Sequence, residues 1–422
     1  MPDSPQIGLL KEVDWLMNKN SLIWTLTASA LFMMAGLGMA SADKRRSAIV
    51  PACNVTSGWL EPASAKSRSL PASEVLANAA QRDVVLLGEQ HDNADHHRWQ
   101  LQTLAGLYAY RPDMVIGFEM FPRRLQPVLD RWVEGKLTVR EFLTQAEWDT
   151  VWSFPPELYL PLFEFARINR IPMLALNIER SLTKAIGEKG WDKVPAADRA
   201  GLSRPAPPLP AYRDILSRVY REHLPGPRRA ANKPVPPDAA FEAFVDAQLT
   251  WDRAMAEALV SRAAPGKNGK KPLLVGIMGS GHLRYGHGVP HQLRALGVEQ
   301  ITTLLPRSED MACEDLEAGL ADAVFNLPIA AAVPTLPPRL GVALEDVAGG
   351  GVRIQSITAG SLAERSGFVV GDRLIEIAGS PPVNVGSVIS IIRRQPPGTW
   401  LPLRVKRGET TLDLVVRFPA KT

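Results

Sequence analysis

The chain has 422 residues, of which 45% are apolar and 22% are charged, as in an ordinary globular protein long enough for two or three domains. The formal net charge of +4 and the pI near 9.0 are modest, and no dense stripe of Lys and Arg is interleaved with aromatic residues. Nucleic-acid binding is therefore not expected. The two cysteines, Cys53 and Cys313, lie 260 positions apart, which suggests neither a metal-ligand spacing nor a disulfide framework.

The first 42 residues are expected to direct export of the chain. Residues 22–39 form an uncharged apolar run, and the sequence ASA at 40–42 supplies the small residues of a signal-peptidase site. The run also approaches the length of a membrane span, so an uncleaved anchor remains an alternative. Cys53 suggests a lipoprotein, but Pro51 and the distance from the apolar run make a poor lipobox. The expected location is the periplasm or the membrane-associated cell envelope.

Apolar runs that end in turns predict the strands of a buried sheet. The first run, VVLL at 84–87, leads into GEQHDN, and helical spacing follows over 96–110. Similar runs occupy 113–118, 171–176, 272–278 and 300–305, with helical segments at 123–146, 158–165, 241–262 and 290–296. Strands that alternate with helices predict a three-layer α/β domain with a mostly parallel sheet.

A proline-rich insertion separates the third and fourth predicted strands. Ten prolines fall within residues 195–237, which is too many for continuous helix, although 212–223 could form one short helical piece. The insertion is therefore predicted to be an irregular cap on the α/β domain.

Polar side chains follow four of the predicted strands. Glu89 and His91 follow the first strand, Glu119 the second, Asn177 the third and His282 the fourth. Because the carboxyl ends of parallel strands lie at one edge of a sheet, we expect these residues to converge on one crevice. Two glutamates and two histidines could bind a divalent metal, supply a general acid and base, or surround a larger cofactor. The residue types alone do not distinguish these three uses.

Five separated motifs resemble the ChaN-type haem-binding domain of bacterial iron-regulated lipoproteins, within the Tiki superfamily. They are GEQHDN, GFEMF, LNIERS, AQLTWDRAMA and GSGHLRYGHGVPHQL, and the similarity covers about residues 70–306. The resemblance implies an exported protein that binds haem in a crevice, which a homodimer could share. It assigns cofactor binding to Glu89, His91, Glu119 and His282, and it offers Tyr285 as the ligand of the haem iron.

The same superfamily includes metal-dependent proteases, which gives a second interpretation. A divalent metal held by His91 and His282 would activate water, with Glu89 and Glu119 as catalytic carboxylates. A scaffold whose first domain has lost its ligand is the third interpretation. Haem binding without catalysis is the expected function.

The C-terminal part is predicted to be a separate module. After a linker at 307–333, residues 334–422 resemble a PDZ domain of the bacterial kind, on the basis of AGSLAERSGFVVGDRLIEIAG at 359–379. Such domains bind an extended peptide at a sheet edge and capture its terminal carboxylate. The resemblance assigns peptide binding by position to Leu340, Gly341, Val342, Val388, Ile391 and Ile392, although core packing could also explain the last three. The sequence thus predicts a haem-binding α/β domain followed by a small β-rich module that binds a peptide or protein partner.

Overall fold

The structure is a computed structural model, and it describes residues 57–152, 154–222, 239–265, 269, 271–307, 311–327, 338–347 and 351–420. The described residues form two compact units. The first unit contains 57–91, 98–119 and the described parts of 178–327, whereas the second contains 92–97, the described parts of 120–177 and those of 338–420.

An eight-stranded sheet forms the centre of the α/β part. Its strands are β1 (Gly58–Glu61), β2 (Arg68–Leu70), β3 (Val84–Glu89), β4 (Met114–Pro122), β5 (Met173–Asn177), β6 (Leu273–Gly279), β7 (Ile301–Arg307) and β8 (Ala323–Asn326), in the order β2-β1-β8-β7-β3-β6-β4-β5. Parallel pairing joins β3 to β6 and β7, β4 to β6, and β7 to β8. The strand β1 pairs antiparallel with β2 and β8. The prediction of a mostly parallel α/β sheet is confirmed.

Helices follow the strands, as the alternating pattern predicts. They are α1 (Ala72–Ala80), α2 (Ala94–Tyr110), α3 (Gln126–Val133), α4 (Val139–Gln145), α5 (Trp148–Val151), α6 (Leu160–Ile168), α7 (Arg180–Lys189), α8 (Pro210–Glu222), α9 (Ala239–Val260) and α10 (Val289–Ala295). The helix α8 lies in the proline-rich insertion and packs against α9 through an apolar cluster that includes Tyr212, Leu216 and Phe241. This part of the insertion is therefore regular and has a core of its own.

Two predicted boundaries need correction. Glu119 lies inside β4 instead of after it, because the apolar run continues through Phe121 and the strand ends at Pro122. The predicted linker at 307–333 contains β8, so the sheet of the first unit extends to Asn326. A strand of four residues gives little periodic signal, and β8 is stabilised by its pairing with β7 and β1.

One cysteine is in a disulfide that the spacing of the cysteines did not predict. Cys313 is disulfide-bonded, and its Sγ lies 4.0 Å from a guanidinium nitrogen of Arg307. The other cysteine of the chain, Cys53, lies outside the described residues, as do the predicted signal segment and the start of the PDZ-like region. Within the described part of the chain, no helix is long and apolar enough to cross a membrane.

The C-terminal module is a five-stranded antiparallel sheet with two helices. Its elements are β9 (Val342–Asp346), β10 (Val352–Ile357), α11 (Leu362–Arg365), β11 (Arg373–Ile377), α12 (Val385–Arg393), β12 (Trp400–Arg407) and β13 (Thr410–Arg417). The strand order is β13-β12-β11-β10-β9, which leaves β9 at an edge. Buried aliphatic and aromatic side chains from both helices and the sheet form its core. This small antiparallel module agrees with the predicted fold class.

Candidate functional site

The first half of the site is built on the turn after β3. Glu89, the last residue of this strand, is 1% exposed, and its Oε1 lies 2.7 Å from Nδ1 of His91. The amide of Gln100, on α2, donates to Oε2 of Glu89 at 2.9 Å and to the carbonyl of Gly88 at 3.2 Å. A buried carboxylate is costly unless donors satisfy its oxygens, and here both oxygens have one. His91 is consequently oriented by a carboxylate that is itself fixed by the helix.

The second half of the site is centred on His282, just after β6. Its Nδ1 lies 2.6 Å from Oδ1 of Asp252, a residue of α9 that is fully buried. The hydroxyl of Tyr212 donates to the other oxygen of Asp252 at 2.9 Å. On the far side of the ring, Nε2 of His282 lies 3.7 Å from Oε1 of Glu119, which is fully buried as well. The imidazole therefore lies between two buried carboxylates.

The sheet register brings the two halves together. Glu89 is the partner of Gly279 in the parallel ladder between β3 and β6. The backbone N–H of Gly279 in turn donates to Oε2 of Glu119 at 2.7 Å. The two glutamates thus lie on the strands that flank β6, and both are next to Gly279 of that strand. The predicted convergence of Glu89, His91, Glu119 and His282 agrees with this arrangement.

Two glycines allow the loops to approach so closely. A Cβ at Gly88 would lie 2.4 Å from Cδ2 of Leu305 and 2.6 Å from Oγ of Ser280. A Cβ at Gly288 would lie 2.4 Å from the carbonyl oxygen of His282 and 3.0 Å from Oδ1 of Asp252. Real side chains do not tolerate such distances, so both positions require glycine for the observed packing.

The loop after His282 carries two aromatic rings that face each other. Tyr285 and His287 stack with ring centroids 5.6 Å apart and an interplanar angle of 26°. Tyr285 has φ +58°, in the left-handed region that a bulky residue seldom adopts, and such strain is common at binding sites. Its hydroxyl donates to Oε2 of Glu317 at 3.2 Å. Burial raises the pKa of Tyr285, and the charge of Glu317 raises it further.

Unsatisfied polar atoms occur around this loop. Among the described residues, the buried Nδ1 of His287 and the buried Nε1 of Trp251 have no hydrogen-bond partner. Burial lowers the pKa of His287, and the nearby His291 lowers it further, so the neutral imidazole is favoured. The Trp251 ring packs edge-on against His282, with centroids 4.8 Å apart. Buried polar atoms without partners are uncommon in native proteins and often mark a functional site.

The arrangement allows several kinds of chemistry. Asp252 holds Nδ1 of His282, so that Nε2 can take up or release a proton toward Glu119. His91 and Glu89 form a second pair of the same kind. The described residues contain no group of three or more His, Cys, Asp or Glu placed to hold a metal ion.

The remaining predicted residues lie elsewhere in the molecule. Asn177 ends β5 and belongs to the second unit. In the C-terminal module, Leu340 is buried in the core, Gly341 has φ +79°, and Val342 is partly buried at the start of β9. The helical residues Val388 and Ile392 are buried in the core, and Ile391 packs against it while partly exposed. Core packing, the alternative interpretation for these three, therefore accounts for Val388 and Ile392.

Sequence reasoning missed three polar members of the site. Asp252 is not among the candidate residues named from the sequence, although it lies within the quoted motif AQLTWDRAMA. Gln100 and Tyr212 were treated as parts of ordinary helices. An acidic residue on a helix whose buried positions surround it, as Phe244, Val245, Leu249, Met255 and Leu259 do here, is the signal that could have identified Asp252.

Comparison with protein-family models gives one match relevant to the site. Residues 75–293 match the family described as "Haem-binding uptake, Tiki superfamily, ChaN", which is more than half of the chain. The chain belongs to this family. The matched region contains Glu89, His91, Glu119, Asp252, His282 and Tyr285, so every polar residue described at this sheet edge except Glu317 lies within it. Haem is accordingly the ligand that family membership supports.

Comparison with solved structures gives matches of low sequence identity and low TM-score. ChaN of Campylobacter jejuni, whose structure shows cofacial haem binding, is 18% identical with a TM-score of 0.47 and covers 64% of this chain and 97% of its own. The HtrA3 PDZ domain bound to the phage-derived ligand FGRWV is 20% identical with a TM-score of 0.17 and covers 19% of this chain and 82% of its own. The serine endoprotease from Yersinia pestis is 18% identical with a TM-score of 0.18 and covers 20% of this chain and 29% of its own. No match was found among curated proteins.

The residues of the site fit haem in the donors that they offer. Haem iron takes an axial ligand from a histidine, tyrosine, cysteine or methionine side chain. The loop after β6 presents a tyrosine and a neutral histidine side by side, with an unsatisfied nitrogen on the histidine. Tyr212 adds aromatic surface next to His287, and Trp251 adds it next to His282.

Proposed function

We propose that this chain is an exported protein of bacterial haem or iron handling that binds haem through its first unit. The proposal rests on one observation, the strained and aromatic loop at 282–288, in which Tyr285 and His287 stack beside polar atoms that lack partners. Family membership supports haem as the ligand of this loop. Packing alone does not require a tyrosine with φ +58° beside the half-buried imidazole of His287.

The residues of the loop and those around it have different roles in this proposal. Tyr285 or His287 would hold the haem iron through a phenolic oxygen or an imidazole nitrogen. His91 and His282, when protonated on both ring nitrogens, would donate hydrogen bonds from Nε2 to the propionates. Glu89 and Asp252 keep those two rings oriented through Nδ1. Haem would supply the redox-active iron, and the protein would bind and orient it.

Titration with hemin tests the haem-binding proposal. The segment 43–422 is purified, titrated with hemin and analysed for divalent metal. We expect a saturable Soret band at one haem per chain, or two per dimer if two subunits share the crevice. A divalent metal at one per chain, lost when His91 is replaced by alanine, together with no haem binding, would instead support the metal-dependent hydrolase.

Export is the second part of the proposal. The disulfide at Cys313 supports it, because disulfides persist mainly in oxidising compartments such as the periplasm. The apolar run at 22–39 and the small residues at 40–42 support it independently. N-terminal sequencing of the protein from a cell-envelope fraction tests both. A mature chain that begins at Asp43 is expected for cleavage, and a full-length chain in the membrane fraction would indicate an anchor.

The C-terminal module is proposed to bind the carboxyl terminus of a peptide or protein. The strand β9 lies at the edge of its sheet, so its free backbone groups can pair with an extended peptide. Partly exposed apolar side chains of β9 and α12, namely Val342, Leu344, Val385 and Ile391, lie beside the core of the module. A preference for apolar C-terminal residues follows. Peptides with a free carboxylate should bind more tightly than the same peptides with an amidated terminus, and equal binding would contradict this role.

A further inference from the structure

The helix α12 of the C-terminal module is buried on two opposite sides. Val388 and Ile392 face the core of the module. Gly386, Ser390 and Arg394 recur at intervals of four, which places them on another face of the helix and its C-cap; we call these three residues the docking face. Ser390 is only 7% exposed, although it lies two positions from both core residues. A helix at the surface of a small module normally exposes its polar side, so something must cover this one.

The cover is the segment 148–158 of the same compact unit. A Cβ at Gly386 would lie 2.9 Å from the backbone carbonyl oxygen of Asp149. Asn384, the N-cap of α12, donates to Oγ1 of Thr150 at 3.4 Å, and Arg394 pairs with Glu157 at 3.2 Å. A larger residue at position 386 would meet this carbonyl oxygen, so glycine permits the close approach of the two segments.

The covering segment also packs against the first turn of α2. Trp148 and Trp152 contact Tyr159, with ring centroids 5.4 and 6.2 Å away. Tyr159 in turn packs on the ring of His97 at 4.3 Å, and both rings are buried. His97 lies on the first turn of α2, six residues after His91 in the chain. The segment that contacts the docking face therefore also packs, through Tyr159, on the helix that follows the candidate site.

We propose that segment 148–158 is an intramolecular partner of the C-terminal module. It binds the docking face of α12 and couples this helix to the first turn of α2. The helix then has two roles, as a wall of the peptide groove and as a contact with the α/β part of the same unit. Binding of a peptide beside α12 and ordering of the turn at 94–97 would influence each other, as linkage requires. The influence on peptide binding rests on the function proposed above, whereas the docking contact does not.

Hydrogen–deuterium exchange on the full chain tests the docking directly. Gly386→Leu places a side chain where only a hydrogen fits, and Arg393→Leu is the matched control at an exposed position of the same helix. We expect Gly386→Leu to raise amide exchange in 148–158 and 94–97 by about tenfold, as for a locally opened segment. Protection in β11, β12 and β13 should stay as in the wild type, and Arg393→Leu should change neither region.

Unchanged exchange in 148–158 for Gly386→Leu would overturn the proposal, as would an equal increase for Arg393→Leu. Gly386→Leu could unfold the module, and a loss of protection in β11, β12 and β13 would reveal this. In that case Glu157→Arg is the variant that tests the docking. This variant lies outside the module and replaces the attraction to Arg394 with repulsion. It should raise exchange at 390–394 by about threefold, and the absence of any increase would refute the docking.

Discussion

The C-terminal module and the edge of the parallel sheet differ in the kinds of side chain that they bury. The core of the C-terminal module is made of aliphatic and aromatic side chains, and its one buried carboxylate, among the residues described, is Asp372, which is paired with Arg407. The edge of the parallel sheet instead buries three carboxylates, Glu89, Glu119 and Asp252. Buried ionisable groups seldom improve stability over apolar packing. The difference indicates that the module is built for stability, whereas the sheet edge is built to meet a ligand.

The largest effect is expected from removing the imidazole between two carboxylates. His282→Ala leaves Asp252 and Glu119 buried without the ring that lies between them. Loss of one partner of a buried ionic group costs about 4 kcal/mol, so the free energy of unfolding should fall by about that amount. Urea denaturation measures it. His291→Ala, which removes a contact with the carbonyl of Pro207, is the control and should cost about 1 kcal/mol or less.

A loss for His282→Ala no larger than that of the control would contradict this account of the sheet edge. It would mean that the two carboxylates are satisfied without the imidazole.

The next largest effect concerns the buried charge in the C-terminal module. Arg407 donates to both oxygens of Asp372, at 2.8 and 2.9 Å. Arg407→Ala should destabilise the module by about 2 kcal/mol, because a charged group then loses its hydrogen bonds while buried. Arg404→Ala is the matched control, since Arg404 pairs at the surface with Glu376 and Asp413, where solvent screens the charges and the loss should be much smaller. Equal losses in the two variants would show that burial of Asp372 is unimportant.

Acid should affect the same pair in a defined direction. Burial alone would raise the pKa of Asp372, but hydrogen bonds from Arg407 and the backbone N–H of Val369 outweigh it and lower the pKa below the usual 3.8. The unfolded chain therefore takes up the proton at a higher pH than the folded chain. The stabilisation is present above pH 3.8 and is lost as the pH falls through the folded pKa. Unfolding followed against pH should show this loss in the wild type and a smaller loss in Arg407→Ala.

The smallest effect on stability is expected at the loop after β6. Tyr285→Phe removes a hydroxyl that is bonded to Glu317 at a partly exposed position, so the free energy of unfolding should change by about 0.5 kcal/mol or less. Glu317→Gln serves as the comparison, because it keeps the hydroxyl and removes the charge. A loss above about 2 kcal/mol for Tyr285→Phe would make the tyrosine a structural residue.

Much of this organisation can be predicted from the sequence, for physical reasons. Continuous apolar runs such as VVLL and LLVGIM identify buried parallel strands, and polar residues at their ends identify the edge where ligands bind. Glu89, His91 and His282 were found in this way. The boundary of β4 was misjudged because the residues after Glu119 are as apolar as those before it.

Other features depend on contacts that are distant in the chain. The short strands β1 and β8 form because they pair with each other, and neither has a recognisable period. Asp252 is buried because Tyr212 and His282 approach it from elsewhere in the chain. Cys313 is disulfide-bonded, and the sequence around it gives no indication of such a bond.

The most direct test of the contrast between the two regions is a hemin titration of the loop variants. The Soret band of the wild type is compared with those of Tyr285→Phe and His287→Ala, and His291→Ala is the control on the neighbouring helix. The account predicts saturable binding by the wild type and the control, with affinity lowered about tenfold or the band shifted in at least one loop variant. Absence of saturable binding, or a band that neither loop variant alters, would contradict it.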